Sequence, residues 1–153
     1  MAHQFLMMVH ATAGVLAMLA GLWLFVETLN ANNSNRARMR GAALLALLLM
    51  WVAYLVGGYW YVTYYGAEKA LIVAGPWPAA HGFVMETKEH VFLILLLLAT
   101  WLPIAVFRTD VESDRGSRRL VLWGAGLLVL GTLAMEGAGA LVSMGVKLAL
   151  LAQ

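Results

Sequence analysis

The chain has 153 residues, of which 63% are hydrophobic and only 12% charged. That charged share is about half of what an ordinary soluble domain carries, and the mean hydropathy of +0.82 points the same way. The net charge of +2, with basic residues divided among short loops, leaves no footprint for nucleic acid, and the complete lack of cysteine excludes disulfides, thiolate metal ligands, iron–sulfur clusters and c-type haem attachment. The length bounds a single domain over residues 1–153, with no stretch reading as a linker.

Crossing a hydrocarbon core takes about 20 mostly apolar residues, and four segments qualify. The first runs from about Phe5 to Leu29 and stops at the polar stretch Asn30 to Arg40. It opens on Met-Ala-His-Gln, without the basic region of a cleaved signal peptide, and is expected to be a retained membrane helix. The second runs from about Gly41 to Tyr64. A connection from Tyr65 to about Ala80 follows, in which Ala67 to Ala74 is expected to form a short interfacial helix. Tyr59, Trp60, Tyr61, Tyr64, Tyr65 and Trp77 flank it as an aromatic belt. The third segment contains the unbroken apolar run Val91 to Phe107 and begins either just after Pro78 or near Thr87. The fourth starts near Leu120 and reaches toward Leu151. Backbone groups in lipid must be paired within the segment, so the reading is an all-α integral membrane protein, a four-transmembrane-helix bundle.

Arg36, Arg38 and Arg40 follow the first helix, and Arg108, Arg115, Arg118 and Arg119 follow the third. The other side holds only Lys69, Lys88 and Lys147. The excess of arginine marks the cytoplasmic loops, which places both termini outside, on the periplasmic side of a bacterial-type plasma membrane. Gly124, Gly131, Ala138 and Gly145 recur at heptad spacing on the fourth helix, and Gly14, Ala17 and Gly21 share a face of the first. Such small residues let helices, or a flat cofactor, approach closely.

An ionisable residue at membrane depth is expensive and needs a reason. Here they gather in the half of the membrane nearer the termini. His10 lies inside the first helix, on a stripe with His3, Met7, Gly14, Ala17 and Gly21. Glu86, Thr87, Lys88, Glu89 and His90 directly precede the apolar run of the third helix, and Glu136 sits about 7 Å outward of the midpoint of the fourth. His10 alone reads equally as an imidazole hydrogen-bonded across the bundle to a carbonyl or a tyrosine hydroxyl. His90 lies at matched depth on another helix, and Glu86, one turn earlier, is placed to accept its Nδ1 hydrogen and orient Nε2 inward. If the third helix starts near Thr87, the same residues form a solvated helix start instead. His81 is expected in a first turn exposed to water. Glu136 is expected to face protein or a water-filled space, as a proton acceptor or as a neutral carboxyl bonded to a neighbouring helix.

Two histidines on facing helices, nearby glycines and no cysteine resemble the four-helix membrane b-type cytochromes. The resemblance covers the helical layout, and only His10 and His90 map onto its ligand motif. Helices two and four carry no histidine, so at most one haem fits. The resemblance implies one bis-histidine b-type haem with iron held by His10 and His90. Gly14 would give room to the ring, Glu86 would orient a ligand, Lys88 would meet a propionate, and Glu136 would take a proton from quinol. It also implies an electron-transfer or accessory subunit of a respiratory or photosynthetic complex, partnered by other membrane subunits, by quinone and by the bilayer, and not a stand-alone enzyme. Two other functions stand beside this one. His10, Glu86, His90 and Glu136 form a mixed nitrogen and oxygen set suited to non-haem iron, copper or zinc, or the polar residues join partner helices in a cofactor-free structural subunit. The arginine asymmetry makes one expectation independent of all three: a reporter fused after Gln153 is active only when it works outside the cytoplasm, and cytoplasmic activity overturns the topology.

Overall fold

A computed structural model describes residues 2–153. Four helices follow in order: α1 (Ala2–Leu29), α2 (Arg36–Ala74), α3 (Glu86–Arg108) and α4 (Arg115–Leu151). A π-helical segment, Ala80–Met85, leads directly into α3. All four are long and apolar enough to cross a membrane. α1 packs on α2 and α4, and α3 packs on the same two, while α1 and α3 face each other across a diagonal, bridged there by the His10 and Phe92 rings with centroids 6.4 Å apart. Both chain ends therefore lie at one end of the bundle, the terminal end, and the loops after α1 and α3 lie at the other, the loop end.

The loop end is tightly made. Ala17, Ala20, Leu24, Ala42, Ala43, Ala46 and Met50 from α1 and α2 meet Leu95, Ala99, Leu102, Val121, Ala125 and Leu128 from α3 and α4 in one apolar core. Alanine at so many contacts lets backbones approach until dispersion alone holds them, which is what membrane helices need without a hydrophobic drive between them. The heptad glycines of α4 serve the same purpose: a Cβ on Gly124 would touch Leu102 and Trp101, and one on Gly131 would overlap Leu95. The α1 stripe does likewise, with Gly21 against Leu128 and Val129 of α4. Polar chemistry closes this end. Glu27, the one carboxylate in that half of α1, pairs with Arg38 (Nε–Oε1 2.7 Å) and accepts from Asn35. Arg118 donates to the carbonyls of Ala31, Val111 and Glu112, tying α4 to the loop after α1.

The terminal end departs from the sequence reading. α2 does not stop at Tyr64 but continues unbroken to Ala74, and the expected interfacial helix is its last part. Its 39 residues span about 58 Å at 1.5 Å per residue, nearly twice the hydrocarbon thickness of about 30 Å. Nothing in Gly66-Ala67-Glu68 suffices to break a helix whose Tyr65 and Ile72, two turns apart, are buried against Ala80, Met85 and Val142 in a second core. Gly75 and Pro76 end it. The earlier of the two starts considered for the third helix is the one found, with the Pro78 carbonyl accepting the His81 and Gly82 amides.

Asp114 caps α4, its carboxylate accepting from the Gly116 and Ser117 amides. These bonds, the Ser117 ones first, hold its carboxyl below the usual carboxylate range. A depressed folded-state value means that the cap's contribution is fully present above the unfolded value of about 3.9 and is lost as pH falls through the folded one. Asp114→Ala is therefore expected to lower the melting temperature at neutral pH in detergent, with the difference from wild type vanishing in strong acid. An equal difference at all pH values overturns the assignment.

Candidate functional site

The two cores do not meet. Between them, in the half of the bundle toward the terminal end, lies a cavity of about 590 Å³ lined by all four helices. That is within the range of small-molecule sites. Its walls are mostly apolar, with Met7, Ala11, Phe92 and Val142 among them, yet His10, Lys88, Glu89 and Glu136 all reach it. Gly58 and Val62 of α2, Leu93 of α3 and Ala140 and Ser143 of α4 line it and are also exposed, so it is a cleft and not a sealed void.

Glycines set the side chains. The Nδ1 edge of the His10 imidazole occupies the space where Gly57 of α2 has no side chain, and Nδ1 donates to the Ala53 carbonyl at 2.8 Å. That bond fixes the tautomer, leaving Nε2 as an acceptor with no protein partner among the described residues. The Glu136 carboxyl fills the space beside Gly14 of α1, and Lys88 Nζ lies where a side chain on Gly139 of α4 would meet it. No ion pair closes Lys88 and Glu136 onto each other among the described residues, and neither makes a side-chain hydrogen bond there. Three buried polar atoms lack a hydrogen-bond partner among the described residues, and two of them, Trp60 Nε1 and Glu89 Oε1, belong to residues that line this cavity.

The residues expected at a haem divide. His10, Lys88 and Glu136 come together, but His90 does not join them. The cavity face of α3 carries Met85, Lys88, Glu89 and Phe92. His90, two positions from Lys88, is turned about 200° away at 100° per residue, and it is exposed. Its Nδ1 hydrogen goes to the Glu86 backbone carbonyl at 2.6 Å, not to the Glu86 carboxylate. That carboxylate instead lies 3.5 Å from Nε2 of His81. The early start of α3 therefore does not bring His90 inward. The residues as placed do not hold an iron between His10 and His90. Among the described residues no three of His, Cys, Asp and Glu are gathered for a metal, so His10, Glu86, His90 and Glu136 do not form one ligand set. Gly14 is filled by Glu136, and the glycine that makes room for His10 is Gly57.

Several cavity residues were missed in sequence: Ala53, Gly57, Trp60, Glu68, Met85 and Glu89. The Gly57-Gly58 pair inside an otherwise bulky α2 was the available signal, since adjacent glycines in a helix interior cost stability and need a close approach to justify them. Of the belt tyrosines Tyr59, Tyr61 and Tyr64, only Tyr61 lines the cavity. His81 is buried, not exposed. No protein-family model, curated protein or solved structure matches the chain.

A methyl group at Gly57 overlaps the imidazole of His10, whereas one at Gly14 overlaps only the far end of Glu136. Gly57→Ala is thus expected to break the His10–Ala53 bond and move the His10 ring resonances in an NMR spectrum. Gly14→Ala should leave them in place while displacing Glu136. Identical His10 signals in wild type and Gly57→Ala would show the packing to be otherwise.

Proposed function

We propose that this protein is a quinol-binding subunit of a membrane electron-transfer assembly, its cleft receiving the head group from the bilayer. The observation that carries this reading is the gathering of unpartnered polar groups around one apolar-walled cavity. Trp60 Nε1 and Lys88 Nζ can donate there, and His10 Nε2, Glu89 and Glu136 can accept. Insertion scales charge about 2.5–3.5 kcal/mol for one lysine or aspartate at the centre of a membrane helix. Such groups persist where water or a polar ligand completes their hydrogen bonds.

The mixture of donors and acceptors selects the ligand class. A phosphate head group would suit Lys88 but would meet two carboxyl side chains, Glu89 and Glu136, in the same cavity. A quinone offers carbonyl acceptors and a quinol offers hydroxyl donors, and both forms find partners here. On oxidation, the two hydroxyl protons would pass to acceptors such as His10 Nε2 and Glu136. The two electrons would leave to a one-electron carrier on a partner subunit.

A second reading has one observation in its favour: the Nδ1–carbonyl bond of His10 is the arrangement that orients a ligating imidazole. His10 and the thioether of Met85, from another wall of the same cavity, would then be the residues to hold a b-type haem. It would supply one-electron chemistry.

The test is saturable binding of a short-tailed benzoquinone to the protein in nanodiscs, read by quenching of Trp60 fluorescence against a Trp60→Phe control. Losing a hydrogen bond of about 1–1.5 kcal/mol is roughly a tenfold loss of affinity. His10→Ala and Glu136→Gln should each weaken binding by about that factor, and His90→Ala should not. Quenching that does not saturate, or that is indifferent to His10 and Glu136, overturns the quinol reading. A low-spin reduced-minus-oxidised visible spectrum that His10→Ala abolishes would establish the haem reading instead.

A further inference from the structure

Above the cavity, in the second core, stands a polar cluster that ligand binding does not use. Tyr65 is 1% exposed and His81 5% exposed, in surroundings otherwise made of Ile72, Ala80, Met85 and Val142. The Tyr65 hydroxyl donates to His81 Nδ1 at 3.1 Å, and His81 Nε2 faces the Glu86 carboxylate at 3.5 Å. That side chain is 46% exposed, so the chain of groups begins in the core and ends at the protein surface. At its inner end the Tyr61 ring, a wall of the cavity, stacks on Tyr65 with centroids 5.0 Å apart. Glu89, with its unpartnered Oε1, lies beside Tyr61 and also lines the cavity. Glu68, Glu86 and Glu89 are the carboxyl groups around Tyr65.

A buried tyrosine–histidine pair costs both side chains their water, and two apolar side chains of similar volume would pack this core as well. The π-helical segment supports a role other than packing. Such segments interrupt regular α-helix and recur at functional sites, and this one carries His81 at its second residue. His81 thereby meets Tyr65 on α2 and Glu86 one residue beyond the segment at the same time.

We propose that Tyr65, His81 and Glu86 form a proton relay joining the cavity to water at the terminal end of the bundle. A proton arriving at the Tyr65 oxygen from the cavity side, from Glu89 by way of Tyr61 or a water, releases the Tyr65 hydroxyl proton to His81 Nδ1. The Nε2 proton of His81 then passes to Glu86 and from there to water. Each bond to hydrogen that breaks is replaced by one that forms, so the relay carries one charge through with no oxidant or reductant. Reorientation of the hydroxyl and imidazole resets it. The relay rests on the reading of the cavity as a place where protons are exchanged, and gives the protons of a bound quinol their way out.

The test is a rapid pH jump on the protein in nanodiscs, without added quinone, followed by the infrared carboxyl signal of Glu89 and Glu136. Glu89→Gln and Glu136→Gln assign that signal. Tyr65→Phe keeps the ring and its packing, so it should fold, and it is expected to slow protonation of the cavity carboxyls at least tenfold with unchanged final amplitude. Glu86→Gln, on a half-exposed side chain, should slow it less. His81→Ala should slow it like Tyr65→Phe, with partial recovery on adding imidazole to the buffer. Wild-type rates in Tyr65→Phe and His81→Ala overturn the relay, because protons then reach the cavity by another route. Quinone affinity measured on the same variants separates the two proposals. Slowed protonation without quinone binding keeps the relay and removes the quinol, and binding with unslowed protonation does the reverse.

Discussion

His10 on α1, Lys88 and Glu89 on α3, and Glu136 on α4 meet at one depth of a bundle, beside a core made largely of alanine, leucine and methionine. Each of them alone would favour moving its helix toward water by a turn or turning its face to a partner. Holding them together fixes the relative heights of three helices at once, and the Ala53 carbonyl, bonded to His10, fixes the fourth. The loop-end core would tolerate a small axial slip of one alanine face on another. The polar groups would not, since a slip strands a charge against apolar side chains. The cavity thus sets the register on which the packing above and below depends.

The contrast between the two ends follows from that. At the loop end, small residues close the helices together, and several charged groups find partners: Arg38 has Glu27, Arg36 has Glu112, Arg118 has three carbonyls, and Arg40 stacks over the Phe107 ring. At the terminal end, α2 outruns the hydrocarbon and the chain needs the π-helical segment to bring α3 back under it. The second core is aromatic where the first is aliphatic, with Tyr61, Tyr65, Trp60 and Trp77 packed about Ala80. Large rings with polar tips can cover a gap and still carry hydrogen bonds through it. Alanine seams cannot. The position of the cleft, between a core that closes and a core that spans, follows from the residue types on either side.

Much of the architecture was legible because it rests on composition over long windows. Four apolar runs and the spacing of Gly124, Gly131 and Gly145 read correctly as helices and seams. The site was legible only in part. His10, Lys88 and Glu136 stood out because each is costly on a helix interior, and the cost is visible in one dimension. The pairing of His10 with His90 was not a property of one dimension. Matched depth says nothing about azimuth, and two residues along α3 separate a side chain in the cavity from one on the outside. Tyr65 and His81 were read as belt and loop because aromatic residues near a membrane border are commonly both. Their burial depends on α2 continuing past Tyr64, which depends in turn on contacts with Val142 and Ala80, far off in sequence or across a proline turn.

The azimuth of α3 carries a last consequence. Its cavity face holds Lys88 and Glu89, adjacent in sequence and about 100° apart around the helix. Lys88 Nζ lies against α4 at Gly139, while Glu89 lies beside Tyr61 of α2. One helix therefore presents a cation to one wall and a carboxyl to the other, with the cavity between them. Opposite charges placed side by side would neutralise each other and leave nothing for a ligand. Turned to different neighbours, the two side chains do not pair among the described residues, and each keeps its own field and hydrogen-bonding capacity. His90, pointing away from this space with its Nδ1 held by its own backbone, adds nothing to that field, and its place on the exposed face of α3 leaves Nε2 to whatever adjoins the bundle there.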